Sequence, residues 1–429
     1  MDRAPYMIIG NSVAAVAAVT GIRGTDRERP VTVIAREPHH TYSRPLISYL
    51  LGGAVDEAAM LYRAPDFYEK NGVVALLGVE VVRVHPDERT VETSDGRTLG
   101  FERLLIATGG RPIVPGDVPG TDAEGVFTFT CWDDARSIAA YVEQEGVKRA
   151  VVVGGGLIGL KSMEALVRLG IETTVVELAD RILGATFDRK ASELARRRLE
   201  GAGVSVRCET TVTHIRASRG KVTGVTLRDG GRVPCELVIL AIGVVPDTGL
   251  VRDSGIRTGR GIVVDDTMRT SVEGIYAAGD VAEAADLFTG EKRTIPIFPN
   301  AYRQGLIAGC NMAGGRRTYA GGLAMNSVEV LGLPTISVGV TDPDGEGCEV
   351  LSDLDEEGPV YKKVVLKGGR VVGAIFVGDV DRAGIITGLI RERVDVSEFR
   401  DVLLTDDFGL ISLPREYRKH VVSGKGIVV

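Results

Sequence analysis

Apolar strands and small-residue helices follow one another in the same order in two stretches of this chain. The first stretch opens with the apolar strand in YMIIG, continues through a helix of alanines and valines, and ends with the strand VTVIARE at Glu37. The second opens with the β-branched strand in AVVVGGG and ends with a further strand at Glu177. A strand, a helix and a second strand predict a β-α-β unit. We therefore expect two copies of one unit.

A glycine-rich loop joins strand to helix in each copy. The second copy has the full G-x-G-x-x-G spacing, and the first keeps the spacing with serine in place of one glycine. A helix N-terminus offers unpaired N–H groups and the positive end of the helix dipole, and small residues let a pyrophosphate approach the backbone. The sequence therefore predicts two dinucleotide sites, with loop residues Gly10, Ser12 and Ala15 in the first copy and Gly154, Gly156, Leu157, Ile158 and Gly159 in the second.

An acidic residue closes each copy. Glu37 lies 27 positions after Gly10, and Glu177 lies 23 positions after Gly154. Both are close to the spacing of about 20 residues at which a carboxylate accepts the ribose hydroxyls of a dinucleotide. The charge of Glu177 would repel a 2′-phosphate, so we predict that the second copy binds NADH in preference to NADPH. The alternative for such a loop is a glycine-rich turn that binds nothing.

A second shared element indicates that one copy lies inside the other. The segments 104–112 and 238–246 are both apolar strands followed by Ala-x-Gly-x-x-Pro, with Gly109 in the first and Gly243 in the second. A later strand within 271–284 ends in Gly279-Asp280 and has no counterpart before residue 250. We therefore predict an α/β protein with two Rossmann-like dinucleotide-binding domains, one at 1–112 and 245–320 and the other inserted at 113–244.

The pattern changes from about residue 321 onward. The segment VYKKVVLKGGRVVGAIFVGD (360–379) predicts two strands around a Gly-Gly turn, and AGIITGLIRERV predicts a helix. The acidic stretch SDLDEEG (352–358) is interpreted as a solvated loop. These elements predict a smaller α+β domain at 321–429.

Composition excludes several classes of function. The net charge of −7 argues against nucleic acid, because phosphate binding requires a basic patch. No uninterrupted apolar run approaches the roughly 20 residues of a membrane helix. Five scattered cysteines without C-x-x-C or zinc-like spacing favour reduced thiols in a cytosolic protein. The pair His39-His40 has no second ligand pair, so we expect no metal site.

The N-terminal apolar run has a second interpretation. Arg3, an apolar segment and small residues afterwards also suit a secretory signal peptide. Cleavage there would remove the phosphate loop around Gly10, so we favour the first strand and helix of the fold and a cytoplasmic protein. N-terminal sequencing of native protein separates the two interpretations.

The chain resembles, over nearly its whole length, the FAD-dependent pyridine nucleotide–disulfide oxidoreductases. The matching residues are the two loops, Thr108-Gly109 and Ala278-Gly279-Asp280. Within that superfamily, PHHTYSRPLISYLLGG and IPIFPNAYRQGLIAGCNMAGG are similar to NADH:rubredoxin reductases, to the flavin module of NADH-dependent nitrite reductases and, more loosely, to flavoprotein subunits of tungsten aldehyde oxidoreductases. The resemblance implies FAD in the first domain, NAD(H) in the second and a C-terminal interface domain that supports a homodimer or a hetero-complex.

The resemblance also implies contacts outside the loops. A carboxylate at Asp280 would hold a ribitol hydroxyl of the flavin, and a helix starting near Pro299-Asn300 would direct its N-terminus at the N1 and C2 carbonyl region. Arg44 is a candidate for a second positive group near the flavin, with a surface arginine as the alternative. The complete set expected outside the loops is Glu37, Arg44, Val81, Thr108, Gly109, Glu177, Gly243, Gly279, Asp280 and Phe298.

Departures from the family pattern bear on the mechanism. The segment after Glu37 holds no cysteine, so thiolate attack on a disulfide or peroxide has no nucleophile. Tyr49 stands where relatives often have lysine, and Lys161 stands where they often have glutamate, with Glu164 one turn on. We interpret these three residues, with Arg44, as the candidate catalytic residues beside the isoalloxazine ring, where a cation would stabilise negative charge. The alternative for Lys161 is a surface lysine.

These features together predict an NADH-dependent flavoprotein oxidoreductase. NADH would stack on the isoalloxazine ring and pass hydride to N5, and without a thiol the electrons must leave singly or go to oxygen. The leading hypothesis is reversible transfer to a rubredoxin- or ferredoxin-like iron–sulfur protein or complex subunit. The chain has no cysteine cluster of its own for such a centre. The alternatives are a self-contained NADH oxidase and a nucleotide-sensing interaction protein without enzyme activity.

Overall fold

The computed structural model describes residues 3–343, 347–355, 358–409 and 412–413. Contacts divide the chain into two units. Unit 1 comprises Met1–Gly154, Lys161–Thr173 and Thr211–Leu323, and unit 2 comprises Gly155–Leu160, Thr174–Thr210 and Ala324–Val429. These bounds differ from those of the three domains expected from the sequence, which stay a prediction.

Eight α-helices lie in the described residues. None of them is both long enough and apolar enough to cross a membrane. They are α1 (Val13–Arg23), α2 (Ile47–Leu51), α3 (Phe67–Lys70), α4 (Trp132–Glu145), α5 (Leu157–Arg168), α6 (Arg189–Gly201), α7 (Phe298–Met312) and α8 (Ala383–Glu392).

Twenty-five strands lie in the described residues, and many of them are short. Up to the end of the second glycine-rich unit they are β1 (Arg3–Ile9), β2 (Val31–Ala35), β3 (Val73–Leu77), β4 (Val81–His85), β5 (Thr90–Thr93), β6 (Thr98–Ile106), β7 (Gly110–Pro112), β8 (Val126–Thr128), β9 (Arg149–Val153) and β10 (Glu172–Val176). They continue with β11 (Ser205–Arg207), β12 (Val212–Ser218), β13 (Lys221–Leu227), β14 (Arg232–Val233), β15 (Leu237–Leu240), β16 (Val244–Pro246), β17 (Ile262–Val263), β18 (Ile275–Ala277), β19 (Ala282–Ala285) and β20 (Lys292–Arg293). The last five are β21 (Met325–Val330), β22 (Leu333–Gly339), β23 (Cys348–Asp355), β24 (Val360–Lys367) and β25 (Arg370–Val377).

The largest sheet belongs to unit 1 and has the order β3-β2-β1-β6-β5-β4, with β18 also paired to β6. Strand β1 pairs in parallel with β2 and β6, and β18 pairs in parallel with β6. Strand β1 is completely buried from Tyr6 to Ile9, as expected of a parallel strand with both faces covered. The succession β1, α1, β2 confirms the first β-α-β unit and, with it, the α/β class.

Helix α1 packs against α7 with backbone close to backbone. A Cβ at Gly305 would lie 2.1 Å from the carbonyl oxygen of Ala14, and one at Gly309 would lie 2.0 Å from that of Ala18. Only glycine permits such an approach. Because positions 14 and 18 face 305 and 309 in the same order, the helices run parallel and their N-termini lie at the same end.

The second glycine-rich copy has the expected elements. In unit 1, β15 pairs in parallel with β8 and β9, and in unit 2 β10 pairs in parallel with β11. Helix α5 begins at Leu157, within the loop, and β10 ends one residue before Glu177. The strand, loop, helix and second strand predicted from the sequence are therefore confirmed.

The C-terminal part of unit 2 is an antiparallel sheet of order β21-β22-β25-β24-β23, with α8 following β25. The two strands predicted within 360–379 and the helix after them are confirmed, and Gly368 and Gly369 between the strands have positive φ. The solvated-loop interpretation of SDLDEEG is wrong for residues 352–355, because they belong to β23 and pair with β24. Residues 356–357 lie outside the described chain. Pairing with a neighbouring strand overrides the local preference of acidic residues for a loop.

We expect Gly309→Ala to destabilise the protein by about 1–3 kcal/mol or more, because the new methyl group would force α1 and α7 apart. The unfolding temperature measured by circular dichroism checks this. Gly24→Ala is the matched control: Gly24 caps α1 with φ of −68°, and the nearest atoms to an added Cβ are 3.5 Å away. Equal losses of stability in both variants would contradict the close packing.

Candidate functional site

The first glycine-rich loop connects β1 to α1. Gly10 has φ of +117°, and a Cβ there would lie 2.2 Å from the carbonyl oxygen of Ala107, so only glycine fits. Ser12 is the N-cap of α1 in extended conformation, and its side chain makes no capping hydrogen bond. Its hydroxyl is therefore not needed by the helix and can donate to a phosphate oxygen at the α1 N-terminus. Ala15 is buried within α1, where its small side chain suits the packing of the helix.

The residues that follow β6 contact the segment around Asp247, which follows β16. The Thr108 hydroxyl donates to the carbonyl oxygen of Asp247 at 2.8 Å, and the N–H of Asp247 donates to the carbonyl oxygen of Gly109 at 2.9 Å. Gly109 and Gly243 have φ of +73° and +126°. The strands that follow these two glycines, β7 and β16, pair with each other. Val81, at the start of β4, is buried in the core of this unit. These contacts hold Thr108 and Gly109 in place beside the first loop.

The turn after β18 carries the carboxylate expected to bind the flavin. Gly279 has φ of +83°, and its N–H donates to Oε1 of Gln304 at 2.8 Å. Desolvation raises the pKa of the Asp280 carboxyl above its usual range, and the Arg44 guanidinium acts in the opposite direction. Phe298 opens α7 and packs edge-on against Tyr62, with ring centroids 5.3 Å apart.

Glu37 has partners of its own. Its Oε1 accepts a hydrogen bond from Nη2 of Arg44, and its Oε2 accepts one from the Tyr42 hydroxyl at 2.5 Å. Arg44 also donates to the carbonyl oxygen of Thr130 at 2.8 Å. A carboxylate has about four lone-pair positions, so Glu37 can still accept ribose hydroxyls while Tyr42 and Arg44 fix its orientation. The structure thus places Arg44 against Glu37, and its position relative to the flavin ring stays a prediction.

A hydrogen-bond network that was not predicted from the sequence supports the first loop. Asn11 follows Gly10, and its amide donates to the carbonyl oxygen of His39 at 3.1 Å. Its Oδ1 accepts from the Tyr68 hydroxyl at 2.7 Å, and the same hydroxyl accepts from the Thr41 N–H at 3.1 Å. The network ties the loop to the segment that contains Glu37. The position of Asn11 inside the glycine motif was a usable signal, whereas Tyr68 has none in the local sequence.

The structure brings Tyr49, Lys161 and Glu164 together within unit 1. The Lys161 ammonium lies 5.0 Å from the centroid of the Tyr49 ring, which is cation–π distance. It also forms an ion pair with Glu164, and the two side chains are 20% and 9% exposed. Lys161 is therefore not a freely solvated surface lysine. Its place beside the isoalloxazine ring stays a prediction.

The second loop has the same backbone requirement as the first. Gly154, in unit 1, has φ of +113°, and a Cβ there would lie 2.3 Å from the carbonyl oxygen of Ala241. In unit 2 the carboxylate of Glu177 accepts from the N–H of Gly155 at 2.6 Å and from that of Ala179 at 2.7 Å. An added Cβ at Gly156 would meet nothing within 4 Å. Glu177 is thus fixed beside the loop with Gly156, Leu157, Ile158 and Gly159, where lone pairs remain for ribose hydroxyls.

The cysteines show no reactive arrangement. All five are free, and burial raises the pKa of the Cys131 thiol to about 11 and that of Cys235 to about 12. In the part of the chain that the structure describes, no group of three His, Cys, Asp or Glu residues could hold a metal ion. His39 instead donates a hydrogen bond from Nε2 to Oδ1 of Asp133 at 2.7 Å and stacks on Trp132.

Residues 4–305 match the model of the pyridine nucleotide-disulphide oxidoreductases, and residues 325–394 match the C-terminal domain of rubredoxin NAD+ reductases. The chain belongs to the pyridine nucleotide-disulphide oxidoreductase family. It is an NADH-dependent flavoprotein oxidoreductase with FAD and NAD(H) as cofactors. The cradle at Gly10, which a Cβ would fill, and the Ser12 hydroxyl fit the pyrophosphate of FAD, and the recessed Asp280 fits a hydroxyl donor.

Three curated relatives illustrate the range of the family. The NADH-dependent phenylglyoxylate dehydrogenase subunit epsilon of Aromatoleum evansii is 33% identical over 93% of this chain and 95% of that protein. The NAD(P)H nitrite reductase of Bacillus subtilis is 31% identical over 93% of this chain, which spans 48% of that longer protein. The rubredoxin-NAD(+) reductase of Pseudomonas putida is 31% identical over 72% of this chain and 80% of that protein.

Solved structures share the fold. A NAD-dependent persulfide reductase from A. fulgidus has a TM-score of 0.83 at 29% identity, over 91% of this chain and 77% of that chain. The putidaredoxin reductase in its covalent complex with putidaredoxin has a TM-score of 0.81 at 26% identity, over 91% of this chain and 93% of that chain.

The raised pKa of Asp280 predicts a pH-dependent stability of the FAD-free protein. The folded chain holds this proton more tightly than the unfolded chain, so the contribution of Asp280 to the free energy of unfolding is fully present below the unfolded-state pKa and is lost as the pH rises through the folded-state pKa. We expect Asp280→Asn to remove this part of the dependence and to raise the unfolding temperature at neutral pH.

Thermal unfolding from mildly acidic to neutral pH checks this expectation, with Asp87→Asn as control because Asp87 is exposed. Parallel pH profiles for wild type and Asp280→Asn would contradict it.

Proposed function

We propose that this chain is an NADH-linked electron-transfer flavoprotein that exchanges electrons singly with an iron–sulfur protein or with an iron–sulfur subunit of a larger redox assembly. The proposal includes operation in both directions, so that the chain can also deliver electrons to NAD⁺. It places the protein in the cytoplasm. Bound FAD supplies two-electron exchange with NADH and one-electron exchange with the partner.

The observation that carries the proposal is the absence of cysteine from the segment that follows Glu37. The segment from Pro38 to Gly53 contains no cysteine. Burial disfavours the thiolates of Cys131 and Cys235, and it raises the pKa of Cys208 as well. A thiolate is the form that attacks a disulfide or a peroxide. The segment in which disulfide reductases carry their reactive thiols therefore offers no thiol to electrons from NADH, and a one-electron acceptor outside the chain is the chemically suited exit.

The residues of this chain supply binding, orientation and charge. Gly10, Ser12 and the α1 N-terminus would hold the pyrophosphate, and Glu37 would hold the adenosine ribose. The N-terminus of α7 would place positive potential at the pyrimidine side of the flavin. Lys161, held between the Tyr49 ring and Glu164, would add a cation beside the ring. Hydride transfer itself requires no general acid or base from the protein.

The relatives support the assembly part of the proposal. The phenylglyoxylate dehydrogenase relative is named as a subunit, and its match spans nearly all of both chains. The putidaredoxin reductase relative was solved as a complex with putidaredoxin. By analogy we propose a separate electron-carrier chain as the partner here. A tungsten aldehyde oxidoreductase complex, with this chain as its flavoprotein subunit, is one assembly that fits. Metal analysis of the complex purified from its native source would identify the partner's iron and any tungsten.

The choice of acceptor is testable by sequential anaerobic stopped-flow mixing. NADH is expected to reduce the bound flavin within the first mix. A second mix with an oxidised rubredoxin or ferredoxin is expected to reoxidise it at least about tenfold faster than air-saturated buffer, because no peroxide-reducing thiol assists oxygen. Faster reoxidation by air would favour a self-contained oxidase. A flavin that NADH leaves oxidised would favour a nucleotide sensor.

We expect Lys161→Met to slow flavin reduction by NADH by about tenfold or more, because it removes a partly buried cation. Lys148→Met, which changes an exposed lysine of the same unit, is the control and should leave the rate unchanged. The double variant Lys161→Met/Glu164→Gln removes the carboxylate that the single variant leaves unpaired. If the double variant recovers the wild-type rate, the single variant acts through the stray charge of Glu164, and Lys161 has no role of its own. The measurement is the single-turnover rate of flavin bleaching.

A further inference from the structure

Helix α7 carries a buried polar side chain whose contact is not explained by the helix itself. Gln304 is 4% exposed. Its Oε1 accepts the N–H of Gly279 at 2.8 Å, 25 residues away in sequence. A buried N–H without a partner costs roughly 1–3 kcal/mol, so this contact fixes the backbone of the turn that follows β18.

The turn depends on this contact because its own geometry gives the Gly279 N–H no sheet partner. Strand β18 ends at Ala277, and Gly279 has left-handed φ of +83°. The carbonyl oxygen of Gly279 accepts the N–H of Ala282 at 2.9 Å, which closes the turn on its other side. Asp280 lies within the turn that the hydrogen bond between Gly279 and Ala282 closes. Two hydrogen bonds of Gly279, one of them from its N–H to Gln304, therefore fix the backbone from which the Asp280 carboxyl projects.

Gln304 is itself held rigidly. The next residue, Gly305, lies against the backbone of Ala14 so closely that a Cβ would meet its carbonyl oxygen at 2.1 Å. A Cβ at Gly279 would lie 3.8 Å from the Cβ of Ala301 and 3.2 Å from that of Ala14. Helix α7 therefore cannot slide or rotate to move the Gln304 amide without displacing α1, whose N-terminus carries Ser12.

We propose that Gln304 is a positioning residue for FAD: it holds the Gly279-Asp280 turn so that the Asp280 carboxylate meets the flavin's ribitol chain. Gln304 acts through Asp280 and does not touch the reacting atoms. The proposal rests on the predicted role of Asp280 and is independent of which protein accepts the electrons. Its loss should change how the flavin is held as well as how stable the fold is.

The test compares three variants by titrating apoprotein with FAD and recording the visible absorption and circular dichroism of the bound flavin. Gln304→Met keeps the length and packing of the side chain but removes the acceptor. Gln304→Glu keeps an acceptor oxygen at the same reach. Asn311→Leu is the matched control, since Asn311 is also 4% exposed on α7 and bonds to Thr267 and Arg317, at the far end of the helix from Phe298.

We expect Gln304→Met to raise the Kd for FAD about tenfold, equivalent to about 1.4 kcal/mol, and to change the flavin circular dichroism. At mildly acidic pH, where burial keeps the new carboxyl protonated and similar in shape to the amide, Gln304→Glu should restore both, and Asn311→Leu should lower the unfolding temperature while leaving both at wild-type values. An unchanged Kd and spectrum in Gln304→Met would overturn the proposal, as would an equal change in Asn311→Leu. If Gln304→Met does not fold, Gln304→Asn decides, because its shorter amide cannot reach Gly279 and should raise the Kd in the same direction.

Discussion

The first β-α-β unit, with its loop around Gly10, depends on close contact between two helix backbones. Helix α1 contributes the carbonyl groups of Ala14 and Ala18, and α7 contributes Gly305 and Gly309. Dispersion contacts are lost steeply with separation, so this pair of helices has one favourable relative position. That position places the N-terminus of α1, at Ser12, and the side chain of Gln304. Loop, carboxylate turn and helix are therefore parts of one packed element.

The site combines strong binding features with a lack of sulfur chemistry. Two backbone cradles and two fixed carboxylates, Glu37 and Glu177, suit long dinucleotides. The segment after Glu37 offers Tyr42, Arg44 and Tyr49 where disulfide reductases carry their reactive thiols. The hydroxyl of Tyr42 and the guanidinium of Arg44 donate hydrogen bonds to Glu37 and orient it. In this chain the segment after Glu37 therefore fixes the orientation of the Glu37 carboxylate.

The parts of this molecule that follow local chain rules could be predicted, and those that follow pairing across the chain could not. The strand, glycine loop, helix and acid of each copy have short-range signatures, and Gly10 and Gly154 have the positive φ that their motif demands. The strand through Asp355 was missed because β24 supplies its stability. The hydrogen bond of Gln304 was missed because nothing near residue 304 announces a partner at residue 279. Tyr49 and Lys161 were expected together only through family comparison, and the structure brings them to cation–π distance.

The parallel packing of α1 and α7 fixes the distance between their N-termini along the helix axes. Gly305 lies seven positions after Phe298, whereas Ala14 lies one position after Val13, so α7 begins about six residues, or roughly 9 Å, beyond the start of α1. The distance between the two positive helix ends follows from the contact of Ala14 and Ala18 with Gly305 and Gly309. The 274 residues between the helices include the second glycine-rich β-α-β unit. The chain can therefore carry that unit between the two helices while their contact keeps the helix ends in register.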